Sequence, residues 1–133
     1  MRISKDEYYL DIAKVVSMRS TCLTRQYGAV IVKDDEIIAT GYNGAPRGIE
    51  NCCDKGYCKR KQSAIKMEDY SDCCSVHAEQ NAIISAARRD MLGATLYLVG
   101  RENDTEISDI APCAICARMI KNAGLKVKMR KDI

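Results

Sequence analysis

The sequence predicts a single α/β domain over residues 1–133, built on a mixed sheet of four to five strands with helices on both faces. Three observations predict this class: helical and strand-like apolar patterns alternate, two strand-like stretches flank a tight turn, and the length suits one hydrophobic core. The apolar residues are mainly aliphatic, because the chain has seven Tyr but no Phe or Trp. We therefore expect an aliphatic core.

A helix and a β-hairpin are predicted at the start of the chain. Ser4 has the capping-box spacing with the glutamate three residues later, and apolar residues then recur at helical intervals over residues 5–19. Residues 27–33 and 36–41 have the composition of strands, and the Asp34–Asp35 pair between them fits a tight turn.

A long irregular insertion is predicted next, at about residues 42–74. It contains Pro, Gly and five of the eight cysteines, and it shows no sustained helical or strand period. A loop of this length inside a compact domain needs a cross-link to hold one conformation. Its cysteines are therefore of interest as ligands.

The rest of the chain predicts a helix, a strand, a helix and a strand. Residues 76–89 are rich in strong helix formers, residues 95–100 have a strand pattern, and a further helix opens at Pro112, a favoured first-turn residue. Gly124 suits a helix C-terminus, and residues 125–129 then alternate between apolar and basic, as on a half-exposed edge strand. Crossover connections of this kind make the later strand pairings parallel.

Composition narrows the functional classes. The formal net charge of +3 is modest, so binding dominated by nucleic-acid phosphates is not expected. No apolar run has the length of a signal sequence or a membrane span, so we expect a cytoplasmic protein without a membrane partner. Eight cysteines in a reducing compartment favour metal ligands or nucleophiles over disulfides.

Two short motifs concentrate the chemistry, His77-Ala78-Glu79 and Pro112-Cys113-Ala114-Ile115-Cys116, each at the start of a predicted helix. Two cysteines three residues apart at a helix start direct both sulfurs toward unpaired N–H groups, which favour thiolate, a good zinc ligand. His77, Cys113 and Cys116 therefore form a candidate zinc site with a fourth position open to water, whose pKa zinc can lower to about 7. Glu79 is the candidate catalytic residue, because near the helix start it can bond to that water without binding metal.

Other interpretations of these motifs are weaker. A closed structural zinc site, with a further cysteine as fourth ligand, gives no reason for Glu79 beside the histidine. A redox CxxC pair would follow a thioredoxin-like strand, which is not predicted before Cys113. A Ser-His-Asp hydrolase would have to use His77, the only histidine, and would leave the cysteines unexplained.

The sequence resembles the deoxycytidylate (dCMP) deaminase family, within the cytidine deaminase superfamily, from about Ser17 to Lys128. The HxE and PCxxC motifs match the signature of zinc nucleobase deaminases. The resemblance also includes STCLTRQYGAVIVK (20–33), TGYNGAPRG (40–48), VHAEQNAI (76–83) and PCAICARMIKNAGLK (112–126). It implies a cytidine-deaminase-like three-layer sandwich, and hydrolytic deamination of dCMP to dUMP with release of ammonia, supplying dUMP for thymidylate synthesis.

The resemblance also implies residue roles. In that family an activated water attacks C4 of the pyrimidine and a glutamate, here Glu79, moves protons to N3 and then to the departing amine. Asn43 matches the residue that contacts the nucleotide sugar-phosphate, the substrate contacts extend to Gly44 and Ala78, and Arg25 and Arg47 are candidates for the phosphate. Without the family, Asn43–Gly44 also fits a simple turn, and the two arginines also fit solvated loop cations.

Some relatives carry a second, structural zinc. The resemblance places four cysteines at its ligand positions, and four thiolates close a tetrahedral site; they are Cys22, Cys53, Cys58 and Cys73. Cys52 or Cys74 as ligands, or free buried thiols, are the alternatives.

The sequence departs from the family in two places. Eleven residues, Arg101–Ala111, stand where many relatives have only a few. The chain also stops soon after Met129, so we expect the fifth strand or last helix of the fold to be missing or supplied differently. Both departures affect subunit contacts; a homo-oligomer is expected, and dCTP and dTTP are candidate effectors.

Two other functions stay open. One is a zinc deaminase acting on another cytosine or nucleobase compound or on a base in RNA, because the superfamily uses one zinc core for many substrates. Few features support a polynucleotide, since Tyr is the only aromatic residue for stacking. The other is a non-catalytic, zinc-stabilised binding module, and Glu79 argues against it.

Overall fold

A mixed five-stranded sheet with helices on both faces forms the centre of the fold. The structure is a computed structural model that describes residues 1–58 and 73–133. The predicted insertion at 42–74 therefore lies partly outside the described residues.

The helices and strands follow the predicted order. The helices are α1 (Lys5–Ser17), α2 (Cys52–Lys55), α3 (Ala78–Ile84), α4 (Arg88–Met91) and α5 (Ala114–Ala123). The strands are β1 (Gln26–Lys33), β2 (Glu36–Tyr42), β3 (Thr95–Glu102), β4 (Thr105–Ile107) and β5 (Lys126–Lys128), and a 3₁₀ turn follows at Arg130–Asp132.

The sheet is centred on β1 and β3. The strand order is β2-β1-β3-β4, and β5 also pairs with β3. β1 is antiparallel to both of its neighbours, and β3 is antiparallel to β4. The predicted parallel pairing is found between β3 and β5.

The central strands are buried on both faces, because successive side chains of a strand point to opposite sides. One core lies under α1 and contains Tyr9, Leu10, Ala13, Val30, Val32, Tyr97 and Val99. The other lies under α3 and α5 and includes Ala29, Ile31, Ala78, Ala82, Leu96, Leu98 and Ile120. These two cores give the predicted three layers and are largely aliphatic.

The predicted cap of the first helix is confirmed. Ser4 Oγ accepts a hydrogen bond from the backbone N–H of Glu7 at 3.1 Å. The helix ends at Ser17, two residues before the predicted end at residue 19. The Asp34–Asp35 turn is also confirmed, since both residues have positive φ, at 50° and 63°.

Two predicted helices need correction. The helix predicted over 76–89 ends at Ile84, because the chain turns at Ser85, whose hydroxyl donates back to the Asn81 carbonyl at 3.0 Å. α4 then forms a separate short helix. Pro112 lies outside α5, whose N-cap is Cys113 with extended backbone (φ −65°, ψ 167°).

The stretch Arg101–Ala111 is not simply a polar excursion. Asn103 and Asp104 have positive φ (51° and 66°), which forms a tight hairpin turn between β3 and β4. This stretch therefore contributes β4, an additional strand of the five-stranded sheet. No helix within residues 1–58 or 73–133 has the length and apolar character of a membrane span.

Candidate active site

His77 is the N-cap of α3, and its backbone is extended (φ −71°, ψ 153°). Its N–H donates to Oε1 of Gln80 at 2.9 Å, the contact that a capping box uses to fix a helix start. Because His77 precedes the first helical turn, its ring and the side chain of Glu79 are not held to opposite faces of a helix. His77 and Glu79 therefore lie close enough to the helix start for both side chains to reach one site.

Cys113 is likewise the N-cap of its helix, α5. Its Sγ accepts a hydrogen bond from the backbone N–H of Cys116 at 3.4 Å, so it caps the helix that carries the second cysteine. N–H groups at a helix start stabilise negative charge on sulfur. Both halves of the site therefore lie at helix N-termini on one face of the sheet.

The side chains of His77, Cys113 and Cys116 converge. Nδ1 of His77 lies 3.5 Å from Sγ of Cys113 and 3.3 Å from Sγ of Cys116. A tetrahedral zinc with ordinary bond lengths requires an N···S separation of about 3.6 Å. In the part of the chain that the structure describes, these three are the one group of at least three His, Cys, Asp or Glu side chains whose ligand atoms lie within 4.8 Å of one another. The donor set fits zinc.

Glu79 lies at the same place and is 5% exposed. Burial raises the pKa of its carboxyl group, and hydrogen bonding, including that to Cys116, acts in the opposite direction. Burial and the negative charge of Glu79 together raise the pKa of the Cys116 thiol. A buried carboxylate beside a buried thiol is unfavourable without a cation, which a metal ion would supply.

Asn43 is also buried, with 7% of its surface exposed. Its Oδ1 accepts hydrogen bonds from Ser20 Oγ at 2.6 Å and from the Tyr27 backbone N–H at 2.8 Å, while Nδ2 donates to the Arg25 carbonyl at 2.9 Å. Ser20 is a contact residue of this site that was not predicted. A serine in the loop before a strand has no pattern that would mark this contact.

A two-residue bridge connects the Asn43 loop to the metal site. Gly44 and Val76 exchange backbone hydrogen bonds of 3.1 and 2.7 Å, and Val76 immediately precedes His77. Ala78, on the other side of His77, is fully buried in the core under α3. Its contact with the substrate stays a prediction.

The two predicted phosphate ligands, Arg25 and Arg47, have different surroundings. Nε of Arg25 lies 3.4 Å from a carboxylate oxygen of Glu102, and the arginine side chain is 46% exposed. Arg47 is exposed and lines a surface cavity of about 410 Å³ between the end of β2 and α3. Both remain predictions.

The four cysteines predicted to bind a second zinc do not form a group of the same closeness. Cys53 is exposed, and its Sγ lies 4.0 Å from Oδ1 of Asp54. Its neighbour Cys52 is buried instead, with Sγ 3.8 Å from Sγ of Cys74. The burial of Cys52 favours the alternative ligand that the sequence left open, and the ligand set of a second zinc stays a prediction.

A three-layer α/β domain in which two helix starts bring together one histidine, two cysteines and a buried glutamate is a zinc-binding deaminase domain. A family model described as the cytidine and deoxycytidylate deaminase zinc-binding region matches residues 3–129. The chain belongs to this family.

Relatives cover most of the chain. The deoxycytidylate deaminase of Mycobacterium phage D29 is 41% identical over an alignment of 127 residues, and the match covers 91% of this chain and 89% of that protein. The deoxycytidylate deaminase of Schizosaccharomyces pombe is 37% identical over 94% of this chain, but the match spans only 36% of the fungal protein. The dCMP deaminase of cyanophage S-TIM5, solved in complex with dCMP and dUMP, superposes with a TM-score of 0.68 at 28% identity, covering 97% of this chain and 82% of that one.

Proposed function

We propose that the chain is a deoxycytidylate deaminase, which converts dCMP and water into dUMP and ammonia and so supplies dUMP for thymidylate synthesis. The observation that carries the proposal is the convergence of His77, Cys113 and Cys116 beside the buried carboxyl group of Glu79. The D29 relative, matched over 89% of its length, is named a deoxycytidylate deaminase, and the S-TIM5 structure contains dCMP and dUMP.

His77, Cys113 and Cys116 would hold zinc, which when bound is a Lewis acid that lowers the pKa of water. Glu79 accepts a proton from the attacking water and delivers it to N3 of the base. It then takes the proton of the hydroxyl group added at C4 and delivers it to the departing amine, which leaves a carbonyl at C4. Its raised pKa suits this work, because a general acid and base is most effective when its pKa approaches the working pH. The water oxygen adds at C4, the C4–N bond breaks, and the amine leaves as ammonia.

Asn43 and Gly44 are proposed to contact the nucleotide, because the Gly44–Val76 bridge connects their loop to His77. The contact of Ala78, the residue after His77, stays a prediction from the family resemblance. Arg47, beside the cavity of about 410 Å³, is the better candidate for the phosphate. Arg25 already pairs with Glu102, so it has to exchange that partner to bind a phosphate.

The test is a substrate panel with a matched variant. Glu79→Gln should lower kcat for dCMP by about 10²- to 10⁴-fold, the usual contribution of a general acid and base, while the zinc content is unchanged. Glu36→Gln makes the same chemical change at an exposed position and should be as active as the wild type. Equal rates with dCMP and deoxycytidine would reject the nucleotide assignment, and a zinc-loaded chain inert toward every cytosine and adenine compound would favour a binding module.

We further propose a second, structural zinc held by thiolates around the insertion. Burial, the contact with Cys74 and the negative charges of Cys22 and Cys58 raise the pKa of Cys52 to about 12. Burial and neighbouring thiols also raise the pKa of Cys73. Thiols that oppose each other's ionisation in this way are stabilised by a cation.

The ligands of this second site are Cys22, Cys58 and Cys73 with one member of the Cys52–Cys74 pair. Elemental analysis should give two zinc ions per chain in the wild type and in Cys53→Ser, and close to one in Cys22→Ser. A single zinc in the wild type would refute the site. A cytoplasmic location, a homo-oligomer and control by dCTP or dTTP stay predictions.

A further inference from the structure

The side-chain hydroxyl of Ser20, in the segment between α1 and β1, is oriented by a backbone donor. The N–H of Cys22 donates to Ser20 Oγ at 3.2 Å and so occupies a lone pair of the oxygen. The other two close partners of this oxygen are the Oδ1 and carbonyl oxygens of Asn43, at 2.6 and 2.9 Å. Both are acceptors, so the single hydroxyl proton is donated to Asn43.

The side-chain amide of Asn43 is fixed in one orientation by backbone groups that have only one role each. The Tyr27 N–H can only donate, so the atom 2.8 Å away is the amide oxygen; the Arg25 carbonyl can only accept, so the atom 2.9 Å away is the amide nitrogen. Within residues 1–58 and 73–133, these bonds use one of the two hydrogens on Nδ2. Asn43 can therefore present a donor, and not an acceptor, to a ligand.

The same segment holds the Asn43 backbone next to the metal site. The Thr21 N–H donates to the Asn43 carbonyl at 3.3 Å, and the following residue, Gly44, is bridged to Val76, next to His77. Gly44 approaches Thr21 so closely that a Cβ at 44 would lie 2.7 Å from the threonine Oγ1. Residues 20–21 thus support Asn43 through both its side chain and its backbone.

We propose that Ser20 is a positioning residue for nucleotide recognition, which holds the Asn43 amide with its remaining N–H toward an acceptor oxygen of the substrate sugar-phosphate. Ser20 itself does not contact the substrate, because its proton is already donated to Asn43. This inference rests on the proposed function, since it requires Asn43 to face the nucleotide. It gives the site an unassigned residue that governs substrate affinity without taking part in the chemistry.

Steady-state kinetics with dCMP test the inference. Ser20→Ala should raise KM about three- to tenfold, the size of one hydrogen bond, and leave kcat unchanged because Glu79 and the metal ligands are untouched. Ser20→Thr keeps the hydroxyl and should restore KM, whereas Ser20→Val, with the same shape as threonine, should not. The Thr/Val pair isolates the hydroxyl even where the alanine variant folds poorly.

A matched control lies four residues away. The buried Oγ1 of Thr24 has no hydrogen-bond partner among the described residues, so Thr24→Val removes a hydroxyl from the same segment without removing a bond. It should leave KM unchanged. Calorimetric titration with dUMP, which needs no turnover, should show the same loss of affinity in Ser20→Ala and Ser20→Val.

Three results would overturn the inference, and they are distinguishable. If the wild type is active but Ser20→Val and Ser20→Thr have the same KM for dCMP and the same affinity for dUMP, the role of Ser20 is refuted and the proposed function is not. A wild type that neither deaminates dCMP nor binds dUMP would refute the proposed function together with this inference. A fall in kcat that follows zinc content would show that Ser20 acts only on the stability of the metal site.

Discussion

Gly41 on β2 lies directly beneath α3, and replacing it by alanine is the most informative test of how the fold positions the site. A Cβ at position 41 would lie 2.4 Å from the Ala78 carbonyl oxygen and 2.4 Å from the Ala82 backbone nitrogen, where ordinary contact begins at 3.4 Å. The shortfall of about 1 Å is against backbone on both sides, so no side-chain rotation relieves it. α3 has to move away from the sheet.

A shift of α3 would move the reacting groups, because His77 immediately precedes this helix and Glu79 lies in its first turn. A misplacement of about 1 Å at a reacting group costs on the order of 10²-fold in rate. We expect Gly41→Ala to lower kcat/KM by about 100-fold and to weaken zinc binding. Overpacking should also lower the free energy of unfolding by about 1–3 kcal/mol.

The assay is kcat/KM with dCMP, together with zinc content and urea unfolding of the same sample. Glu36→Ala, a change at an exposed position of β2 away from the cavity beside Arg47, is the control and should retain activity and zinc. Wild-type activity in Gly41→Ala would refute the reasoning. It would mean that the sheet, and not the helix carrying His77 and Glu79, absorbs the overlap.

Three further predictions concern stability. Leu10→Ala, at a fully buried position, should lower the free energy of unfolding by about 2–5 kcal/mol in urea titration. Ser4→Ala removes the cap of α1 and should cost about 0.5–2 kcal/mol by the same measurement. Hydrogen bonds from Tyr97 and Lys128 lower the pKa of Asp6 from its ordinary 3.8, so its contribution is present above about pH 4 and is lost as pH falls through the lowered value. Asp6→Asn should therefore reduce stability at neutral pH and flatten its decline in acid, as followed by thermal unfolding between pH 7 and 2.

The convergence of the candidate zinc ligands was predictable because each half of the site is determined locally. Cys113 and Cys116 are placed by one helix start, and His77 by another, so the spacing in the sequence already determines the geometry within each half. The close packing of α3 against the sheet at Gly41 could not be predicted from the sequence.

The cysteines predicted to bind a second zinc show what sequence spacing leaves open. Cys52 and Cys53 are neighbours in the four-residue helix α2, where consecutive side chains point about 100° apart. Which one turns inward depends on how that helix packs, and the structure buries Cys52. The resemblance alone selected Cys53.

Strand β4, which was not predicted, follows a tight turn in a polar stretch. Asn103–Asp104 forms the same kind of positive-φ turn as Asp34–Asp35, but it lies in a polar stretch, whereas the earlier pair joins two apolar strands. The residues of β4 itself are exposed or half-buried and give a weak strand pattern. Ser20 was missed for a similar reason, since its partner Asn43 is 23 residues away in sequence.

The hairpin extension also bears on solubility. β5 pairs with Thr95–Tyr97 and β4 with Gly100–Glu102, so two short strands in succession occupy the side of β3 that faces away from β1. An unpaired central strand with this apolar sequence would offer other chains a template for aggregation. β4 therefore shields the part of β3 that β5 leaves open, and these two outer strands carry Glu106, Lys126 and Lys128, whose charges discourage edge-to-edge association.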